Sequence, residues 1–211
     1  MDINKLIKEC HENAVEKGFY DCPECGGDCT GRLCVNCRIY GKEKCNGYTE
    51  CPHCKGTGID QNKNISELLM FAIVEISKAV EALINGKLSD WSKDINIDCK
   101  SWNMVYIETY IKDTFEDKIT DVFIRLFELC GYLGIEIDDV NRHNDLGVGK
   151  LFDFPDLLLF VVRVISEIQS SETDKKNNIE CAFSYLFDVV KKYNIDIEKH
   201  IDAKIAYNKT K

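Results

Sequence analysis

NISELLMFAIVEISKAVEALINGK, residues 64–87, decides the fold class. From Ser66 to about Asn85 its apolar positions Leu69, Ala72, Ile76, Ala79 and Leu83 follow the spacing of one helical face. Gly86 follows as a stop. The same period recurs on either side. Residues 2–17 read as a short amphipathic helix with Ile3, Leu6, Ile7 and Cys10 on one side, ended by Gly18-Phe19. Thr114 with Asp117 resembles a capping box with Asp in place of Glu, opening a helix that runs to about Tyr132 and ends near Gly134. Pro155 suits the first turn of a helix over roughly 155–170, and two more follow near 175–193 and 196–209. Residues 87–103 hold Trp91 and Trp102 with no clear period and read as an irregular connection; 141–153, punctuated by Asn144-Asp145, Gly147 and Gly149, read as a loop. The expectation is an all-α protein.

The 211 residues suffice for one well-buried core plus a smaller module. No stretch approaches ~18 uninterrupted apolar residues, which excludes a membrane-spanning helix. Met1 is followed by Asp2-Ile3-Asn4-Lys5 rather than an apolar run, so no secretory signal and a cytoplasmic location are expected. A formal charge of −9 argues against broad electrostatic binding to nucleic acid, although a local basic patch is compatible with it.

A weak repeat runs through the helices. FELCGYLGIEID (127–138) matches FDVVKKYNIDIE (187–198) at an offset of 60, and LMFAIVEISK (69–78) echoes LLFVVRVISE (158–167). Two helical hairpins, 64–140 and 155–211, would then pack with pseudo-two-fold symmetry into a bundle. The alternative is that any two amphipathic hairpins share Leu, Ile and Phe periodicity.

Cysteine usage divides the chain. Eight of the 12 Cys fall in one Gly-rich segment: Cys22, Cys25, Cys29, Cys34, Cys37, Cys45, Cys51 and Cys54. Cys10, Cys99, Cys130 and Cys181 are scattered. Three C-x-x-C pairs in an apparently cytosolic chain favour metal over disulfides. CPHCKGTG (51–58) is a full C-x-x-C-x-G-x-G unit and resembles the Cys-rich repeat of DnaJ-type chaperones; CPECGG (22–27) matches most of it. Eight thiols suit two structural zinc ions with four thiolates each. The outer motifs are alike and close the loop, which pairs Cys22, Cys25, Cys51 and Cys54 on one ion and Cys29, Cys34, Cys37 and Cys45 on the other. A redox C-x-x-C is the competitor, but no thioredoxin-like β-α-β pattern surrounds it. His53, inside a C-x-x-C turn, reads as a bystander. Arg32, Arg38, Lys42, Lys44 and Lys55 are matched in number by Asp21, Glu24, Asp28, Glu43 and Glu50. The module contacts a protein or nucleic-acid partner electrostatically only if the fold segregates these signs.

The helical part resembles the MazG-like family of all-α nucleoside triphosphate pyrophosphohydrolases. The resemblance runs through KECHENAVEKGF (8–19), residues 64–87, DTFEDKITDVFIRLFELCGYLGIEID (113–138) and IDAKIAYNK (201–209). It implies a helical hairpin from 1–19 and 61–140 with a Cys-rich insertion at 20–60; the internal repeat adds a second hairpin at 141–211, read as a degenerate repeat. In the family an E-x-x-E pair faces an E-x-x-D pair. The carboxylates hold Mg2+, which binds the triphosphate and activates water, releasing a monophosphate and pyrophosphate. Here the motifs read Glu75-Ile-Ser-Lys78 and Lys118-Ile-Thr-Asp121. The resemblance implies Glu75 and Asp121 as the surviving catalytic Mg2+ ligands, while two of the four expected acids are Lys, which would repel Mg2+ and impair the ordinary mechanism. The second hairpin aligns Val164, Glu167 and Cys181 with Glu75, Lys78 and Asp121 and does not restore the set.

Three arrangements are open for the lysines. Lys78 and Lys118 pair with Glu75 and Asp121 in the space of the lost metals, or contact nucleotide phosphates directly, or leave Glu81, Glu116 and Asp117 to rebuild a displaced metal site. The last ranks lowest because Glu116 and Asp117 are expected to point elsewhere on their helix. Lys204, Tyr207 and Asn208 resemble the family's K-x-x-Y-N tail, which implies substrate-binding roles beside Lys78 and Lys118; a solvated terminal helix is the alternative. The two Trp stack a base or cap the bundle. Three functions follow: a pyrophosphohydrolase relative with a degenerate site, a non-catalytic nucleotide-binding or sequestering protein, and a zinc interaction module on a helical scaffold. Relatives self-associate, which implies a homodimer unless the duplication completes the bundle within one chain.

Overall fold

The computed structural model describes residues 1–27, 53–92, 104–138, 154–168 and 174–210. Its helices are α1 (Ile3–Glu16), α2 (Ile65–Ile84), α3 (Met104–Tyr106, running into a π-helical turn Ile107–Ile111), α4 (Phe115–Leu133), α5 (Phe154–Glu167), α6 (Lys175–Lys192) and α7 (Ile197–Asn208). Among the described residues there is no strand, only an isolated antiparallel bridge between Asp21 and Ile59. The fold is all-α. Among the described residues no helix is long and apolar enough to cross a membrane. The chain divides into two compact units, Met1–His11 with Ile65–Lys211, and Glu12–Asn64.

In the first unit α2 packs along α4, α5 along α6, and the two pairs meet through α2 with α5 and α4 with α6; α7 lies against α4. The apolar spacing read in residues 64–87 buries Leu69, Ala72, Ile76 and Ala79, with Leu68 and Ala82 beside them. α4 is the central element, and Phe115, Ile119, Val122, Phe123 and Phe127 are all fully buried on it. Thr114 caps α4 by accepting from Asp117 N at 3.3 Å, while the Asp117 carboxylate accepts from Asp113 N at 2.9 Å. The α3 turn carries no extended period and was not expected from the sequence. It forms because Tyr106, Ile107 and Ile111 pack on Ala203 and Tyr207 of α7. Residues 87–92 are irregular and pinned: Phe115 N donates to Lys87 O, Ser89 N to Glu116 Oε2, and the Tyr106 hydroxyl to Asp90 O. The expected loop at 141–153 and residues 93–103 lie outside the described residues.

The offset of 60 holds through the whole of α4 and α6. Their N-caps are Thr114 and Asp174. Their exits match bond for bond: Gly134 N to Gly131 O and Asn194 N to Lys191 O are both 3.3 Å, and Ile135 N to Cys130 O and Ile195 N to Val190 O are both 2.9 Å. Gly134 (φ 65°) and Asn194 (φ 53°) are the residues that turn left-handed there, the conformation Gly and Asn tolerate best. Between the helices Phe123 stacks on Phe183, its counterpart at +60, with centroids 5.9 Å apart. The crossed pairs Phe123–Phe187 and Phe127–Phe183 lie at 5.0 and 5.1 Å. A residue meeting its own counterpart, flanked by two reciprocal contacts, is the contact pattern of a two-fold axis. α2 and α5 also begin at counterpart positions, Ile65 and Phe154, an offset of 89.

Candidate functional site

The carboxylates and lysines singled out in the sequence meet where α2, α4 and α7 converge. Helical spacing puts Glu75 and Lys78 on one side of α2, three residues apart, and the Lys78 ammonium binds Glu75 Oε1 at 2.8 Å. Lys118, on the first turn of α4, is largely buried. Its Nζ stands 2.8 Å from Asp113, 3.4 Å from Asp121, 3.6 Å from Asp117 and 3.9 Å from Glu75. Lys204, from α7, places its ammonium 2.7 Å from Asp117 Oδ1 and 3.0 Å from Asp121 Oδ1. Four carboxylates thus face three ammoniums, leaving one net negative charge.

The electrostatics fit a closed network. Burial alone would lower Lys118, but its hydrogen bond to Asp113 and the charges of Asp121 and Asp117 hold it above the ordinary lysine range. Lys204 is likewise opposed by burial and lifted by Asp121 and Asp117. The same Lys118 hydrogen bond holds Asp113 below the ordinary carboxylate range. Burial is the largest influence on Asp121 and raises it, with the Lys204 charge opposing.

Asp117 corrects the sequence reading. It was expected to point away, yet it is 2% exposed and bridges Lys118 and Lys204. The signal was available: Asp117 and Asp121 are spaced i, i+4 within α4, which places them on one face of the helix. Its capping pattern concealed a second role. Glu116 does point elsewhere, toward Ser89 N.

This donor set does not fit Mg2+. A hard dication needs several carboxylate oxygens free to converge. Here Asp113, Asp117 and Asp121 all face ammoniums, and Glu75 Oε2 is the one buried oxygen of the cluster without a hydrogen bond. Among the described residues no acidic trio brings its ligand atoms within 4.8 Å of one another.

The rest of the expected substrate set lies apart from this cluster. The Tyr207 hydroxyl donates to Glu108 at 2.9 Å, on the π-helical turn, and its ring is buried against Tyr106 and Ile111. Asn208 is half-buried in the last turn of α7. Trp91 caps this end of the bundle. Its indole Nε1 donates to His200 Nε2 at 2.9 Å, and Lys199 sits over its ring at 4.1 Å. Trp102 lies outside the described residues. His200 is buried, and its Nδ1 has no hydrogen-bond partner. That burial holds its pKa down, to about 4.

In the unit Glu12–Asn64, Cys22, Cys25 and Cys54 bring their sulfurs within 4.8 Å of one another, a group that can hold a metal ion. The backbone takes the same path after Cys25 and after Cys54. The residue after each second Cys is left-handed (Gly26 at φ 63°, Lys55 at φ 50°), followed by Gly27 at 78° and Gly56 at 81°. The turns are tied by Cys22 N to Gly58 O and Asp60 N to Tyr20 O, both 2.8 Å. Gly58 is required there, since a Cβ would fall 2.3 Å from Gly27 O. Cys51, Cys29, Cys34, Cys37 and Cys45 lie outside the described residues, so the pairing of the two sets of four is described only at Cys22, Cys25 and Cys54.

Comparison with protein-family models, with curated proteins and with solved structures finds no match to the chain.

Proposed function

We propose that this chain is a non-hydrolysing relative of the MazG-like pyrophosphohydrolases: a helical scaffold with a retired metal site, carrying a zinc module that engages a partner in the cytoplasm. The observation that carries the reading is Lys118, whose ammonium lies within 4 Å of four carboxylates. With Lys204 it supplies the positive charge that the family's mechanism takes from Mg2+. An ammonium cannot activate water as a bound metal does. The second hairpin takes the place of a second subunit, so one chain completes its own bundle.

For the module, the Cys25 and Cys54 sulfurs are 3.8 Å apart. A tetrahedral site with Zn–S near 2.3 Å has an edge of about 3.8 Å, whereas a disulfide is about 2.0 Å long. Cys51 is the proposed fourth ligand of this ion, and Cys29, Cys34, Cys37 and Cys45 those of a second. Closed thiolate sites are structural, so the module's role is recognition rather than chemistry.

Pyrophosphate release from a panel of NTPs and dNTPs with Mg2+ tests the reading. No release is expected. Turnover that disappears in Glu75→Ala would overturn it. One observation favours a second reading, nucleotide binding without cleavage. The Lys78 side chain is 48% exposed while its partner Glu75 is 12% exposed, so the lysine end of the pair opens to solvent. Its ammonium is therefore available to a phosphate. That reading requires nucleotide binding that persists in chelator and is lost in Lys78→Ala.

A further inference from the structure

His53 sits one residue before Cys54 and would be passed over as a turn filler. Its Nδ1 lies 3.4 Å from the Cys22 sulfur, across the joint between the two Cys turns. The ligand atoms that mutually approach within 4.8 Å are those of Cys22, Cys25 and Cys54, and His53 is outside that group. The ring therefore reaches one sulfur from the side instead of the common centre. Cys22 is fully buried, and Cys54 too. A metal-bound thiolate there carries charge that water does not solvate, and an N–H aimed at the sulfur offsets it.

We propose that His53 is a positioning residue of the metal centre, donating Nδ1–H to the Cys22 thiolate and so fixing that sulfur's charge and direction. The inference rests on the zinc reading of the cysteine cluster. Its chemistry is a hydrogen bond from a neutral imidazole, with no bond made or broken. The turn that follows His53 is closed on Cys54: Thr57 Oγ1 donates to Cys54 O at 2.7 Å, and Thr57 N to the same carbonyl at 3.0 Å. Outer partners of this kind characteristically change metal affinity by about 10- to 100-fold.

The experiment uses the full-length protein, loaded with Co2+ as the spectroscopic probe and competed with Zn2+. Wild type, His53→Ala and His53→Asn are compared, the Asn amide keeping a donor at about the position of Nδ1. The expected result is a sulfur-to-cobalt charge-transfer band in all three, with one and the same set of cobalt d–d bands. His53→Ala should bind about 10- to 100-fold more weakly and shift the charge-transfer band, and His53→Asn should recover most of the affinity. Equal affinities in wild type and His53→Ala overturn the inference. So does a change of the d–d bands from a mixed nitrogen–sulfur pattern to an all-sulfur one, which would make His53 a ligand. A wild type with no charge-transfer band would instead remove the zinc reading itself.

Discussion

Phe123 and Phe183, sixty positions apart, stack ring on ring at 5.9 Å and 28° in the centre of the bundle. Each is fully buried, and each also touches the other's helical neighbour one turn on. Residues on a two-fold axis should be energetically coupled, and reciprocal pairs should be coupled alike. Phe123→Ala and Phe183→Ala are each expected to cost about 3–5 kcal/mol. Double-mutant cycles by urea unfolding should give coupling energies for Phe123/Phe187 and Phe127/Phe183 that agree within about 0.5 kcal/mol. Simple additivity at both pairs would mean that the matching geometry has no energetic counterpart.

Lys204 and Lys78 should behave differently although both pair with acids. Lys204→Met strips a buried ammonium from Asp117 and Asp121, and the cost expected at pH 7 is about 3–5 kcal/mol. Burial already raises the Asp121 carboxyl and the Lys204 charge opposes that, so in the variant Asp121 takes up a proton more readily folded than unfolded and the deficit should shrink as pH falls toward 4. Lys78→Met touches a half-exposed pair and should cost less than about 1 kcal/mol. Equal effects in chemical denaturation would contradict the network.

The helices were legible because their apolar periods are long: residues 64–87 and 113–138 gave element type and end, and Gly134 gave the stop. The α3 turn was not, since five π-helical residues, Ile107–Ile111, hold no period and owe their shape to contacts with Ala203 and Tyr207. At the acid–lysine cluster Glu75, Lys78, Lys118 and Asp121 were legible from two spaced motifs. Asp113 was not, because it stands before the helix at φ 61° and enters through tertiary geometry. His200 was invisible for a similar reason: only the packed structure brings Trp91 to it across 109 positions.

His200 should make the bundle acid-sensitive. Its pKa is held to about 4 in the fold against about 6.5 unfolded. The unfolded state therefore binds more protons between those values, and stability is lost as pH falls through that window, by at most about 3 kcal/mol. The charges that bear on it are Asp117 and Asp196, which favour protonation, and Lys199 and Lys204, which oppose it. His200→Gln, whose carbonyl can accept from Trp91 Nε1, should flatten the stability profile between pH 6.5 and 4. An unchanged slope would place the acid sensitivity elsewhere.

Metal removal should be local. Stripping zinc with a strong chelator, or Cys22→Ser, is expected to abolish hydrogen-exchange protection at the Cys22 and Asp60 amides, whose acceptors are Gly58 O and Tyr20 O. The amides of α4 and α6 should keep theirs. Loss of protection throughout would show that the two units do not open independently.

Lysine ammoniums sit among Glu75, Asp113, Asp117 and Asp121, where the MazG-like reading would put Mg2+. Titration of the zinc-loaded protein with Mn2+, followed by electron paramagnetic resonance, tests it most directly, with Lys78→Glu/Lys118→Glu and Glu75→Ala alongside. The wild type should bind no Mn2+, and the double variant, where two acids replace two ammoniums, should give a bound signal. Mn2+ bound by the wild type and lost in Glu75→Ala would contradict it.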